Sequence, residues 1–336
     1  MFERKENPRL KSSIRPKNKK PKLIVILGTT ASGKSKLALS LARKFKGEII
    51  SADSRQIYQG MDIGTDKVLG QKKKIEGEKV RVVSGIPHYL LDIIPPDKEF
   101  SVAEFQKKAI SLIKKIWQRG KLPFLVGGTG LYIRSITENL KIPPVPPQKK
   151  LRERLEKKTR DELFQKLKKL DPQTAQKIDP FNKRRLIRAL EVCLLTQKPF
   201  SLQRKRRESL FEILKIGLAF PKEELEKRIE KRIAQMFKRG FIREVRKLLK
   251  KGYSPSLPSF SGIGYKEVIE YLQKKISLRE AKERIKKRTL DYAKRQMTWF
   301  KKEKNVFWIK IPKEADGLIM RFLNNSLKER KKELSL

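Results

Sequence analysis

The sequence is poor in the residues that bind metals and form disulfides. It has one cysteine and one histidine in 336 residues. A lone Cys193 excludes an internal disulfide and any multi-cysteine zinc site, and a lone His88 excludes a two-histidine metal centre. Cys193 sits in "LIRALEVCLL", an apolar helical pattern that reads as a buried, unreactive thiol. His88, in "GIPHYLLD", reads as structural. No apolar run approaches the length of a membrane span and no hydrophobic signal segment opens the chain, so the expected setting is cytoplasmic, with no membrane partner. Acids are scarce as well: 37 Asp and Glu stand against 84 Lys and Arg, a formal net charge of +47. Such an excess favours a polyanionic partner, either nucleic acid or an anionic lipid surface. Lysines on solvated helix faces account for part of the charge, and charge alone does not separate RNA from DNA or lipid.

What is present begins with "LGTTASGKSKLALSLA", residues 27 to 42. Gly28, Gly33, Lys34 and Ser35 fit the spacing G-x-x-x-x-G-K-[ST] of a phosphate-binding loop. Leu23–Leu27 before it reads as a buried strand. Leu37, Ala38, Leu41 and Ala42 after it recur at helical spacing, with Gly47 as the expected stop. The loop Gly28, Thr29, Thr30, Ala31, Ser32, Gly33, Lys34 and Ser35 therefore gathers backbone N–H groups and a helix N-terminus around an anion. Lys34 adds a point charge, and the Ser35 hydroxyl is placed to help hold Mg²⁺. The spacing says that the loop binds phosphate, not whose phosphate it is.

Residues 1–21 are polar, basic and aperiodic, which reads as a disordered arm. Strands are expected at Leu23–Leu27, Glu48–Ala52, Tyr89–Ile94, Leu122–Val126, Ile213–Phe220 and Val306–Ile311. Helical patterns alternate with them, such as "SVAEFQKKAISLIKKIWQRG", with Ser101 as N-cap, Glu104 completing a capping box and Gly120 as stop. The alternation predicts an α/β fold, a mostly parallel sheet with flanking helices. The proline-rich "KIPPVPPQ" opens a stretch, 138–212, of charged amphipathic helices without a strand, which reads as an all-helical insertion. The core is thus expected over 22–137 and 213–312. A second helical region spans about 221–302, with Pro221 at a helix N1 position, and 313–336 reads as a charged tail.

Several constellations carry chemistry. "EIISAD" is an apolar strand ending in Asp53, and in parallel sheets ligands gather at the carboxyl ends of strands. Asp53 fits two roles there, a Mg²⁺ ligand or a general base facing a substrate proton. "LVGGTGLYIRSI" is a second strand–turn–helix; three glycines around Thr129 suggest close approach of a ligand. In "PKEELEKRIEKRIAQMFKRG", Glu224, Arg228 and Arg232 follow one another at four-residue spacing, which alone reads as a salt-bridged surface helix. "RTLDYAKRQMTWF" interleaves Arg288, Lys294 and Arg295 with Tyr292 and Trp299, a pattern suited to RNA and equally to an amphipathic core helix.

In order along the chain, "GTTASGKS" (28–35), "SADSRQIYQGMDIGTDK" (51–67), "IPHYLLDI" (86–93), "FSVAEFQ" (100–106), "FLVGGTGLYIR" (124–134), "RRLIRALEV" (184–192), "GIGYKE" (262–267) and "YAKRQMTWF" (292–300) resemble the tRNA dimethylallyltransferases. The resemblance covers about 22–312. It implies a P-loop NTPase-like core with an all-helical insertion around the tRNA anticodon stem-loop. The implied reaction moves a dimethylallyl group from dimethylallyl diphosphate to N6 of the adenosine 3′ of the anticodon, with Mg²⁺. Carried over residue by residue, Gly28–Ser35 holds the diphosphate, Asp53 is the base and Arg228 binds diphosphate. Lys34 and Thr129 join them in the catalytic set, and Ser35 is the metal contact. Asp53, Ser54, Arg55, Gln56 and Thr129 match positions at the substrate adenosine. Arg184, Arg185, Leu186, Ile187 and Arg188 match a tRNA-contacting stretch. A monomer is expected. Departures are Thr29 for the usual proline, Asn182 for Asp and Leu290 for Arg, and the Cys/His-rich finger of longer relatives does not follow the core. The residues taken alone also fit a P-loop kinase of a small acceptor, or a non-catalytic basic RNA-binding protein, which would leave the loop and Asp53 without purpose.

Overall fold

The computed structural model describes residues 20–203 and 207–333. The basic arm therefore lies outside the described residues, apart from Lys20 and Pro21. Within them the chain forms two compact units, one running to Ile133 and resuming at Leu210, the other Arg134–Ser209.

The first unit is built on a single sheet. Its strands are β1 (Lys22–Gly28), β2 (Gly47–Ser51), β3 (Gln71–Ile75), β4 (Glu78–Val83), β5 (Ile86–Tyr89), β6 (Leu122–Gly127), β7 (Glu212–Leu218) and β8 (Val306–Ile309), in the order β3-β4-β5-β2-β6-β1-β7-β8. β5 through β8 pair in parallel across the sheet, and only β3–β4 and β4–β5 are antiparallel. The central β1 is buried at every position, as a strand covered on both faces must be. α1 (Lys34–Lys44) turns Leu37, Ala38 and Leu41 onto the sheet beside Ile24, Ile26 and Phe124. α2 (Val102–Gln118) starts at the expected capping box: Glu104 N–H donates to Ser101 Oγ at 3.2 Å and Ser101 N–H to Glu104 Oε2 at 2.8 Å. α3 (Gly130–Thr137) follows β6.

The second unit holds α4 (Lys149–Glu156), α5 (Arg160–Leu170), α6 (Pro172–Ala175), α7 (Lys183–Thr196) and α8 (Phe200–Gln203). Its core gathers Leu155, Leu163, Leu167, Leu186, Ile187 and Leu190. Asn182 caps α7, its side chain accepting from Arg185 N–H at 3.3 Å, so the amide does there what an aspartate would do. Cys193 is buried in the same core, which pushes its thiol pKa up, in keeping with an unreactive side chain. The first unit then resumes through β7 with α9 (Lys222–Lys238), α10 (Phe241–Lys250), α11 (Tyr265–Leu272), α12 (Leu278–Phe300) and α13 (Pro312–Glu333). Among the described residues no helix is long and apolar enough to cross a membrane.

Four expectations need correction. Gly47 does not stop α1, which ends at Lys44; it opens β2, where a Cβ would meet the Phe124 ring at 2.3 Å. The strand expected at Tyr89–Ile94 is Ile86–Tyr89, because Leu90 and Asp92 take positive φ to turn the Asp92 carboxylate inward. There Asp92 meets Lys67 Nζ at 2.6 Å and the Arg81 guanidinium, which Asp62 shares. Pro221 is the N-cap of α9 rather than its first residue. The charged tail is helical from Pro312, and its Ala315 and Ile319 are fully buried against the sheet.

Glu244 on α10 fixes the loop between β2 and β3. Its carboxylate accepts from the N–H groups of Asp62 (2.9 Å), Ile63 (2.6 Å) and Gly64 (3.1 Å) and from the Tyr265 hydroxyl (2.8 Å). Glu244→Ala strands these donors and is expected to cost about 2–3 kcal/mol, read as a lower urea midpoint at unchanged slope. A loss below about 0.5 kcal/mol would mean that water replaces the carboxylate.

Candidate active site

The loop between β1 and α1 curls its backbone tightly because its glycine turn permits it. Gly33 is left-handed (φ 80) at the N-cap of α1 and provides no capping side chain. The first-turn N–H groups of α1 are therefore not taken by a side-chain cap, the condition for anion binding. Lys34 Nζ donates to Thr29 O at 3.0 Å, folding the ammonium over the loop. Burial lowers its pKa to about 8, against the opposing pull of Asp53 and with the help of Arg232. The Ser35 hydroxyl is exposed on the first turn of α1.

Asp53 stands just past the end of β2, as its strand predicted. Asp53 Oδ1 accepts from Arg55 N–H at 2.8 Å, and Oδ2 has no hydrogen-bond donor among the described residues. Thr129 holds this turn from β6: its hydroxyl accepts from Ser54 N–H at 3.0 Å and its N–H donates to Ala52 O at 3.2 Å. Arg55 reaches away, to Pro258 O (2.9 Å) and Ser261 Oγ (3.0 Å), and Gln56 Nε2 donates to Thr65 O at 3.1 Å. Lys34, Asp53 and Arg232 line one cavity of about 660 Å³, together with Ser35, Arg288 and Tyr292. Burial and the charge of Asp53 both raise the pKa of Tyr292, which keeps its phenol protonated.

The three glycines after β6 are explained by protein contacts. A Cβ at Gly127 would lie 2.2 Å from Ala52 O, at Gly128 2.3 Å from Gln296 Nε2, and at Gly130 2.3 Å from the Trp299 indole. The close approach expected of a ligand is that of β2 and α12. Of the helix-face arginines, Arg228 is paired with Glu224 (2.7 Å) and stacked 4.0 Å over the Phe220 ring. Its NH1 lies 3.8 Å from where a Gly33 Cβ would be, at the mouth of the loop. Arg232 bonds the Thr30 hydroxyl directly. Surface pairing describes Arg228, whereas Arg232, 3.7 Å from Asp66, also reaches inward to the loop.

The stretch Arg184–Arg188 divides. Leu186 and Ile187 are core residues of the helical unit, so they present no side chain to a partner. Arg188 bonds Glu191 (2.7 Å) and Val145 O (3.0 Å), whereas Arg184 and Arg185 are exposed. His88 is buried with Nδ1 3.0 Å from Ile86 O, and burial lowers its pKa. Leu290 packs into the apolar cluster around Ile229 and Phe241. One residue that sequence reasoning gave no role is Gln296: its Oε1 accepts from Thr30 N–H at 2.8 Å and its Nε2 donates to Gly128 O at 2.9 Å.

Comparison with known proteins places this arrangement. The family model described as IPP transferase matches residues 56–303. A tRNA dimethylallyltransferase of Pelotomaculum thermopropionicum is 46% identical over 89% of this chain and 94% of its own. The full-length tRNA isopentenylpyrophosphate transferase of Bacillus halodurans, a crystal structure, is 38% identical, with a TM-score of 0.66 over 94% of this chain and 100% of that one. A eukaryotic dimethylallyltransferase, captured acting on tRNA, is 30% identical, with a TM-score of 0.77 over 91% of this chain and 80% of its own. A mostly parallel sheet with a phosphate loop, joined to sequence identity over nearly the whole chain, leads to one conclusion: the chain belongs to the IPP transferase family.

Proposed function

We infer that this chain transfers a dimethylallyl group to tRNA. In the finer reading, the donor is dimethylallyl diphosphate and the acceptor N6 of the adenosine 3′ of the anticodon. The observation that supports it best is one cavity bounded by an anion-binding loop on one side and an ionisable carboxylate, Asp53, on the other. An exocyclic adenine amine is a poor nucleophile because its lone pair is delocalised, so transfer needs a good leaving group and a proton acceptor. The N6–C bond forms as the C–O bond to diphosphate breaks; the N6 proton passes to Asp53 and diphosphate leaves with the electron pair. Lys34 and the loop N–H groups offset the charge on the departing diphosphate, with Arg228 and Arg232 beside them. Thr129 and Ser54 hold the turn that aims Asp53.

A divalent cation fits this donor set as a partner of the substrate. Among the described residues no three acidic, histidine or cysteine side chains cluster as a metal cage. The Ser35 hydroxyl would hold Mg²⁺ together with diphosphate oxygens and water, the sharing that this ion prefers. When bound it supplies further positive charge to the leaving group. Arg184 and Arg185, exposed on the first turn of α7, are the residues of their stretch suited to tRNA phosphates. The target base must leave its stack to reach a cavity of this kind. The protein acts as a monomer in the cytoplasm, where its tRNA substrate is.

The test is direct. Protein, Mg²⁺, tRNA and dimethylallyl diphosphate, with no ATP, are expected to yield N6-dimethylallyladenosine by mass spectrometry of digested tRNA. An absolute requirement for ATP, or phosphate released from it in step with turnover, overturns the reading in favour of a kinase.

A further inference from the structure

We propose that Gln296 is a positioning residue that ties the diphosphate loop to the turn aiming Asp53, so that leaving-group site and base site are set by one side chain. The inference rests on the functional reading above. Gln296 lies on α12 and is buried, 6% exposed. It bonds two loops far from it in sequence: Thr30 N–H on one side and Gly128 O on the other. A backbone N–H can only donate and a carbonyl can only accept, so these two partners fix which way the amide faces. No other uncharged side chain of similar length offers both functions from one planar group.

The two contacts lead to the two halves of the site. Thr30 is gripped twice, at its N–H by Gln296 and at its hydroxyl by Arg232, which sets the curve of the loop ahead of Lys34. Gly128 is followed by Thr129, whose hydroxyl takes Ser54 N–H at 3.0 Å, next to Asp53. Gly128 has no side chain because a Cβ there would strike Gln296 Nε2 at 2.3 Å, so the glycine keeps the amide's place open. Tyr292, one helical turn back on α12, lines the cavity together with Gln296. The chain of contact runs from diphosphate loop to Thr30, Gln296, Gly128, Thr129, Ser54 and Asp53. These hydrogen bonds fix the loop and the turn that carries Asp53 to one side chain.

Gln296→Met fills the same space with neither function and tests the proposal. With saturating tRNA, its KM for dimethylallyl diphosphate is expected to rise about tenfold and its kcat to fall about tenfold, the scale of a buried hydrogen bond lost at each end. Thr129→Val cuts the chain after Gly128. In that background the kcat effect of Gln296→Met is expected to shrink to within about twofold while the KM effect persists, because only the Asp53 arm has been cut already. Gln296→Asn, one methylene shorter, reaches at most one partner and is expected between native and Met in both parameters; it serves if the Met variant does not fold. Native KM and kcat in both variants overturn the proposal, as does full additivity of the Gln296 and Thr129 effects on kcat, which is what a general packing role gives. Absence of prenyl transfer by the unmutated protein is a different result and strikes the functional reading instead.

Discussion

Asp53→Asn is expected to lower transfer at saturating substrates by at least about a hundredfold, the usual scale for a positioned base, while diphosphate and tRNA still bind. The asparagine carbonyl can keep the acceptor role that Asp53 Oδ1 plays toward Arg55 N–H, so the turn survives. What the amide cannot do is take a proton, and the oxygen without a donor, Oδ2, becomes an NH₂ aimed at the amine it should relieve. Thr129 and Ser54 are untouched, and the loop across the cavity keeps its Lys34. Single-turnover rates with labelled tRNA, beside direct binding of dimethylallyl diphosphate with and without Mg²⁺, separate the two roles that fit this carboxylate. Loss of Mg²⁺-dependent diphosphate affinity with turnover kept at saturation would identify Asp53 as a metal ligand and remove it as the base.

The phosphate loop and Asp53 were legible because each is a local event: a strand runs out, and the next residues have a spacing that only a few structures satisfy. The sheet centre was legible for the same reason, since a strand buried on both faces, such as Leu23–Leu27, is apolar at every position. The β3–β4 hairpin went unread. Its strands are QKKKI and EKVRVV, in which β3 is an edge strand with four exposed residues, so lysines that guard an edge hide the apolar alternation. The signal that could have found it is the Glu76-Gly77 pair, both at positive φ between the strands, the geometry of a two-residue hairpin turn. Gln296 was invisible for a deeper reason: its partners, Thr30 and Gly128, are backbone groups 266 and 168 residues away. Backbone partners leave no mark on the identity of the residues they belong to, except at Gly128, where the missing side chain was visible and its cause was not. Leu186 and Ile187 show the converse. A motif carried over whole includes the residues that hold it in place, and only burial separates those from the exposed Arg184 and Arg185.

Lys34→Ala is expected to reduce kcat/KM for dimethylallyl diphosphate by about a hundredfold to a thousandfold, the range for deleting one preorganised charge partner of a leaving group. The ammonium is half-buried beside the loop and already bonded to Thr29 O, so it needs little reorganisation when diphosphate charge develops. The same burial makes the native enzyme pH-sensitive in this parameter. With its pKa lowered to about 8 in the ligand-free protein, Lys34 is charged below that pH and neutral above it. Only the charged form favours a diphosphate, so kcat/KM is expected to hold up to about pH 8 and then to fall as pH rises, by at most tenfold per unit. Bound diphosphate favours the ammonium, so binding above this pH takes up protons, which calorimetry in buffers of different ionisation enthalpy reads directly. In Lys34→Ala both the high-pH fall and the proton uptake should vanish, because the group that titrates is gone. If the fall persists in Lys34→Ala, another group sets it and Lys34 is not the charge that the diphosphate meets.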